Sequence, residues 1–159
     1  MKKHITLSLL CLSVLSLYAQ INPVDKNGIA IGGYDIVTYF DGTKPAKGNE
    51  AYTSKYESAT YYFASPENQK LFTDNPKKYI PQYDGYCALA VSYGKKISID
   101  PLTYKIKEGK LYLFFNGKTS HGRLNSLDTW NKNEEKLLKK ADINWPDVKK
   151  AKYKPEESL

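Results

Sequence analysis

Past residue 19, the 159-residue chain holds one cysteine, Cys87, and one histidine, His121. As a pair they would suit a thiolate–imidazole nucleophile, which needs the two side chains in contact and a third group to orient the imidazole. Taken separately, each suits a soft metal ion or haem iron as a ligand. Neither stands in a recognisable nucleophile context: His121 lies in the polar stretch "GKTSHGRLN" and reads as an exposed loop histidine, and Cys87 lies in "PQYDGYCALAVSYG". Three roles fit Cys87. Its apolar neighbours Ala88 to Val91 favour a buried small hydrophobe. A metal or haem ligand is the second role. A redox thiol is the third, and it requires exposure and a lowered pKa.

Tyr83, Tyr86 and Tyr93 cluster around Cys87, and Tyr34 and Asp35 follow a glycine pair. These six residues are the candidate walls of a ligand pocket, because tyrosine offers an apolar ring with a polar tip. Most of the 14 tyrosines belong to sheet and core, where such rings pack well. Asp35 and Asp100 precede the starts of elements, as capping residues do. Glu57 and Asp84 have no carboxylate partner in the sequence. Gly-rich phosphate loops, Cys-x-x-Cys and His-Glu-x-x-His are all missing, so no reaction is specified and the residues point away from an enzyme.

The elements that must position these groups are short. Residues 20–27 read as an extended lead-in. "AIGGYDIVTYF" turns at Gly32-Gly33, and "AYTSKYESATYYFAS" alternates like two strands joined near Glu57-Ser58. Ser65-Pro66-Glu67 starts a helix with a cap, a proline at its first position and an acid in its first turn; Asp74-Asn75-Pro76 ends it. A short turn carries Tyr79 and Ile80. After a break at Asp100-Pro101, "LTYKIKEGKLYLFFNG" reads as a hairpin turning at Glu108-Gly109. Asn133 caps a helix with Leu137, Leu138 and Ala141 on one stripe, and "INWP" closes the domain. The mixture is an α+β fold: a small single domain of short antiparallel hairpins and several short helices.

The beginning of the chain sets an expected compartment. Lys2-Lys3, an apolar run from Ile5 to Leu17 and a small residue at Ala19 read as a signal peptide over 1–19, cleaved before Gln20. Cys11 follows Leu10 rather than a small residue, which argues against a lipid anchor. A chain so processed is periplasmic or secreted, and its single cysteine leaves the core to hold the fold without a disulfide. The net charge is +7 over the full chain. It is spread over lysine-rich turns, as on a solvated surface rather than a nucleic-acid site. No later segment is apolar enough to span a membrane, and a monomer is expected.

One stretch resembles a known family. "YESATYYFASPENQKLFTDNPKKY" is similar to the core of the YHS domain, named for a Tyr-His-Ser triplet, an aromatic strand, a helix and an Asp-Pro ending. Tyr56-Glu57-Ser58 stands for the triplet with glutamate in place of histidine. Tyr61-Tyr62-Phe63 stands for the strand, and Phe72, Asn75-Pro76 and Tyr79 for the ending. "GGYDIVTYF" before it, and "PQYDGYCALAVS", "GKLYLFFN" and "ADINWP" after it, are similar to an exported branch of the family. The likeness covers residues 28–146, leaving 147–159 as a flexible tail. It implies a treble-clef-related core and a link to metal or haem handling in the cell envelope. Relatives that bind metal place cysteines at the strand-to-helix step, where this chain has Ala64 and Asn68, so no structural zinc is expected. Cys87 and His121 remain as metal candidates; the cofactor stays open, with a soft metal ion or haem the classes to test. The reading is an exported, non-catalytic binding module with an unidentified envelope partner or small ligand. The alternatives are a thiol-redox protein or small enzyme acting through Cys87, and a structural or protein-interaction domain.

Overall fold

The computed structural model describes residues 23–153. The expected signal peptide over 1–19, its expected cleavage point at Ala19–Gln20 and the final residues 154–159 lie outside them. The fold is α+β. Among the described residues, three antiparallel hairpins follow one another in sequence, with helices between and after them. The hairpins are β1 (Asn49–Tyr56) with β2 (Ala59–Phe63), β3 (Asp100–Lys107) with β4 (Lys110–Phe114), and β5 (Asn116–Thr119) with β6 (Gly122–Asn125). The helices are α1 (Pro66–Asp74), α2 (Pro76–Tyr79), α3 (Ala88–Ser92), α4 (Ser126–Lys132) and α5 (Glu134–Lys150).

Strand alternation places the core. On β2, Ala59, Tyr61 and Phe63 point inward while Thr60 and Tyr62 are half-buried. The inward rings meet Phe72 of α1, which lies 4.8 Å from Tyr61 and 5.1 Å from Phe63 between centroids. A second aromatic group forms where Trp130 of α4 packs 5.4 Å from Phe114 and 6.2 Å from Tyr112 of β4. Ser65 caps α1 as its sequence predicts, its hydroxyl accepting from the Asn68 N–H at 3.2 Å. The β3–β4 turn has positive φ at both Glu108 (51°) and Gly109 (71°), the conformation of the two-residue turn that matches strand twist.

Several expectations change. The lead-in is not extended where it is described: Asp25 closes a turn by accepting from the Asn27 and Ile29 N–H groups at 2.8 and 2.9 Å. That turn brings Ala30 and Gly28 onto Thr60 of β2, through backbone bonds of 2.9 and 2.7 Å. β3 begins at Asp100, earlier than the proline break suggests, because Pro101 falls in the register irregularity between Asp100 and Tyr104, where no ladder N–H is required. "GKTSHGRLN" forms the β5–β6 hairpin, and α4 follows it directly; polar sequence hides both. Asn133 does stand at the start of α5, but its side chain makes no capping bond.

The chain also does not end its structure at "INWP". Helix α5 continues through Pro146 to Lys150. An interior proline costs roughly 3 kcal/mol. Val148, beyond it, is buried and returns about 1.5–3 kcal/mol. Lys96 Nζ also binds the Lys149 and Ala151 carbonyls at 2.9 and 2.6 Å. Residues 147–150 therefore belong to the domain rather than to a tail. Asn144 ties α5 to α3 by donating to the Val91 and Ser92 carbonyls at 3.3 and 3.0 Å.

Candidate functional site

Asp35 is completely buried and lies at the junction of three segments. Its carboxylate accepts from the Val37 N–H at 2.9 Å, the Ala64 N–H at 2.8 Å and the Asn68 amide at 2.7 Å. Its backbone carbonyl accepts from the Thr38 hydroxyl at 2.7 Å. These bonds join the 3-10 helix Ile36–Phe40, the end of β2 and the first turn of α1. Among the described residues the carboxylate forms no ion pair, so the three N–H donors carry its charge, and such charge-assisted bonds are about twice as strong as neutral ones. Asp35 is thus a structural anchor, as its capping position predicts.

The same junction tests the implied metal. Ala64 offers no ligating side chain, and Asn68, whose NH₂ donates to Asp35, offers no more than a neutral amide oxygen. Among the described residues no group of three or more His, Cys, Asp or Glu side chains converges. His121 is exposed at the β5–β6 turn, its Nδ1 2.9 Å from the Ser120 hydroxyl. Cys87 is 1% exposed. The residues do not fit a zinc or copper centre.

Cys87 precedes α3 and sits 3.3 Å from the Ser126 hydroxyl. Ser126 donates its own proton to the Phe115 carbonyl at 2.7 Å, so the thiol is the donor of the sulfur–oxygen contact. The Cys87 N–H binds the Ile97 carbonyl at 3.1 Å. The cysteine is a buried tie between α3, the segment before β3 and the start of α4. Buried without a base beside it, it lacks the exposure that thiol chemistry requires.

A cleft of about 250 Å³ opens on another face. Tyr56, Glu57 and Ser58 of the β1–β2 turn form one wall with Ala59 and Tyr61 of β2. Ile80, Pro81, Asp84 and Tyr86 form the opposite wall, and Pro23, Val24 and Lys96 complete it. Its geometry depends on unusual backbone. Glu57 (52°) and Asp84 (50°) on the rim, and Tyr83 (58°) next to Asp84, all have positive φ, a conformation L-residues adopt only at a cost. Gly85 favours glycine, because its φ of 82° strains any other residue and a Cβ there would crowd Pro23 at 3.2 Å and Pro81 at 3.3 Å.

The cleft's chemistry is aromatic and acidic. Tyr61 is only 8% exposed, and its hydroxyl has no hydrogen-bond partner among the described residues. Burial, then the nearby charges of Glu57 and Asp84, pushes that hydroxyl well above the ordinary tyrosine range. Burial raises Tyr86 likewise, with Tyr153 and Asp84 adding to it. Asp84 stands 3.5 Å from the Lys149 ammonium across an exposed rim. Lys96 Nζ lies 5.2 Å over the Tyr86 ring while bound to the end of α5.

Of the six pocket candidates Tyr34, Asp35, Tyr83, Tyr86, Cys87 and Tyr93, the structure brings only Tyr86 to this cleft. Tyr83 is buried, and its hydroxyl donates to Asp142 at 2.8 Å. Tyr93 is 62% exposed, and Tyr34 packs beneath Lys47, whose Nζ lies 4.0 Å over the ring. Sequence reasoning missed Tyr56, Glu57, Tyr61 and Asp84 as a group. The signal available was the Tyr56-Glu57-Ser58 triplet, which supplies one wall.

Residues 36–83 match the YHS domain. The match runs from the 3-10 helix Ile36–Phe40 through β1, β2, α1 and α2. It contains the Asp35 carboxylate's partners Val37, Ala64 and Asn68 and the cleft wall from Tyr56 to Pro81. No curated protein and no solved structure matches the chain.

Proposed function

Because residues 36–83 carry a YHS domain, we propose that the protein is an exported, non-catalytic binding module whose ligand site is the Tyr56–Tyr61–Tyr86 cleft. The observation that carries this reading is Tyr61, a tyrosine 8% exposed that lines the cleft and whose hydroxyl has no hydrogen-bond partner among the described residues. A buried polar group left unpaired costs about 1–3 kcal/mol, and a ligand that pairs with it recovers that cost. The cleft is below the roughly 300–1,000 Å³ of drug-sized pockets, so the ligand is small.

The reading is non-catalytic because Cys87 and His121 form no nucleophile pair and no other base sits beside a nucleophile in the cleft. It does not invoke a metal, because among the described residues no group of three or more His, Cys, Asp or Glu side chains converges. Export to the periplasm or beyond is supported by Lys2-Lys3, the apolar run and Ala19. Among the described residues no helix is long and apolar enough to cross a membrane.

Nuclear magnetic resonance of the chain from Gln20, titrated with a panel of small polar compounds, tests the site. Saturable shifts centred on Tyr56, Tyr61 and Tyr86 are expected from at least one compound, and Tyr86→Ala abolishes them. Saturable shifts that map only to α5 or Tyr93, or to nothing, overturn the assignment.

A further inference from the structure

We propose that the cleft selects a small primary alkylammonium ion. The inference rests on the cleft being the ligand site and names its ligand class. Three tyrosines line the cleft, and two carboxylates, Glu57 and Asp84, stand on its rim. A tyrosine face attracts a cation within about 6 Å, and a carboxylate accepts its N–H bonds with charge assistance. The Tyr61 oxygen, buried and unpartnered, is an acceptor for a third N–H, and an alkylammonium has three N–H donors to offer.

The chain itself places ammonium groups at this rim twice. Lys96 Nζ rests over the Tyr86 ring at 5.2 Å, and Lys149 Nζ approaches Asp84 at 3.5 Å. Lys96 is not free to compete further inside, since two carbonyls at the end of α5 hold it at 2.9 and 2.6 Å. Lys149 does compete. Its side chain is 58% exposed and its pairing with Asp84 is a surface contact, worth little in water. A ligand ammonium in the cleft takes the same carboxylate. The apolar contacts available to the alkyl chain are Ile80, Pro81 and Pro23. An anion would face the like charges of Glu57 and Asp84, so the cleft disfavours it relative to a cation.

The test is a titration of the chain from Gln20 with n-butylammonium chloride, 1-butanol and sodium butyrate at one ionic strength, read from the Tyr61 and Tyr86 ring signals. Saturable binding of butylammonium is expected, at least about fivefold tighter than butanol, with butyrate weakest. Asp84→Asn, in a position whose positive φ asparagine accepts, weakens butylammonium by about 2- to 5-fold, and added salt weakens it further. Lys149→Ala tightens it by a similar factor, a gain that a merely structural role for Lys149 does not produce. Butanol or butyrate binding as well as butylammonium overturns the proposal while leaving the cleft as a binding site. Failure of Lys149→Ala to tighten binding overturns the role of Asp84. Silence from all three probes overturns the ligand class. The binding-module reading falls only if the wider panel also leaves the cleft unperturbed.

Discussion

Replacing Asp35 by asparagine removes a charge and converts one carboxylate oxygen into an N–H₂ group. Oδ1 accepts from Val37, and Oδ2 accepts from both Ala64 and Asn68. Whichever way the asparagine amide turns, its N–H₂ faces a backbone N–H, of Val37 in one orientation and of Ala64 in the other. The Asn68 amide can rotate to present its oxygen, but a backbone N–H cannot. One buried donor is therefore stranded at a cost of about 1–3 kcal/mol. With an m-value of about 2 kcal/mol per M urea, the unfolding midpoint falls by about 1 M. Asp35→Ala strands all three donors, and the loss of about 3–5 kcal/mol removes a large part of a stability that is ordinarily about 5–15 kcal/mol.

Urea titrations followed by tyrosine and tryptophan fluorescence measure both variants. The same titration with a strong chelator separates the anchor from a metal, which would contribute folding energy directly. A midpoint for Asp35→Asn within about 0.2 M of the parent, or a chelator effect as large as that of the substitution, refutes the view that these hydrogen bonds organise the strand-to-helix step.

Three other outcomes are expected. Cys87 in the native protein reacts slowly with a thiol reagent, Cys87→Ala costs about 1 kcal/mol through a small cavity, and Cys87→Ser leaves cleft binding unchanged; rapid alkylation of the folded protein contradicts its burial. Burial raises the Tyr39, Tyr61 and Tyr83 hydroxyls far above the ordinary tyrosine range, so these groups stabilise the fold below about pH 10 and that contribution is lost as pH rises toward their folded values. Alkaline titration should show their absorbance change delayed until unfolding. Burial pushes Glu134 up, but hydrogen bonds from Lys105, Trp130 and Lys107 overcome it and hold its carboxyl below the usual range; its contribution is present above about pH 4.5 and lost as pH falls further, so Glu134→Gln lowers the melting temperature at pH 7 and not at pH 3.

Much of the fold was legible because its signals are local. The Ser65-Pro66 start of α1 and the alternation of Ala59, Tyr61 and Phe63 each lie within a few residues of chain. The β5–β6 hairpin was not legible, since its residues are mostly polar and carry no apolar alternation. Pro146 misled for a different reason: the proline is a local stop signal, but Val148 and the grip of Lys96 on the helix end are tertiary and outweigh it. The cleft shows the same limit. Tyr56 and Tyr61 come from one hairpin, Asp84 and Tyr86 from a turn more than 20 residues along the chain, and only tertiary packing brings the walls together. Tyrosine clustering in sequence pointed to Tyr83 and Tyr93, one of which the core absorbs while the other faces solvent.

The two strand turns allow strain and function to be separated. Glu57 and Glu108 each follow the last residue of a first strand, and each has positive φ, 52° and 51°. Asparagine tolerates that conformation better than glutamate, so Glu57→Asn and Glu108→Asn should each stabilise by about 0.5–1 kcal/mol and raise the melting temperature by about 2–4 °C. The turns differ in what the carboxylate faces. Glu57 lines the cleft beside Tyr61, whereas Glu108 does not. Glu57→Asn should therefore weaken butylammonium binding by about 2- to 5-fold while stabilising the fold, and Glu108→Asn should stabilise it without changing binding. A glutamate retained at a strained position for its charge gives that opposition of stability and affinity. Equal effects of the two substitutions on binding, or a loss of stability at Glu57 alone, would show that the glutamate serves the turn and not the ligand.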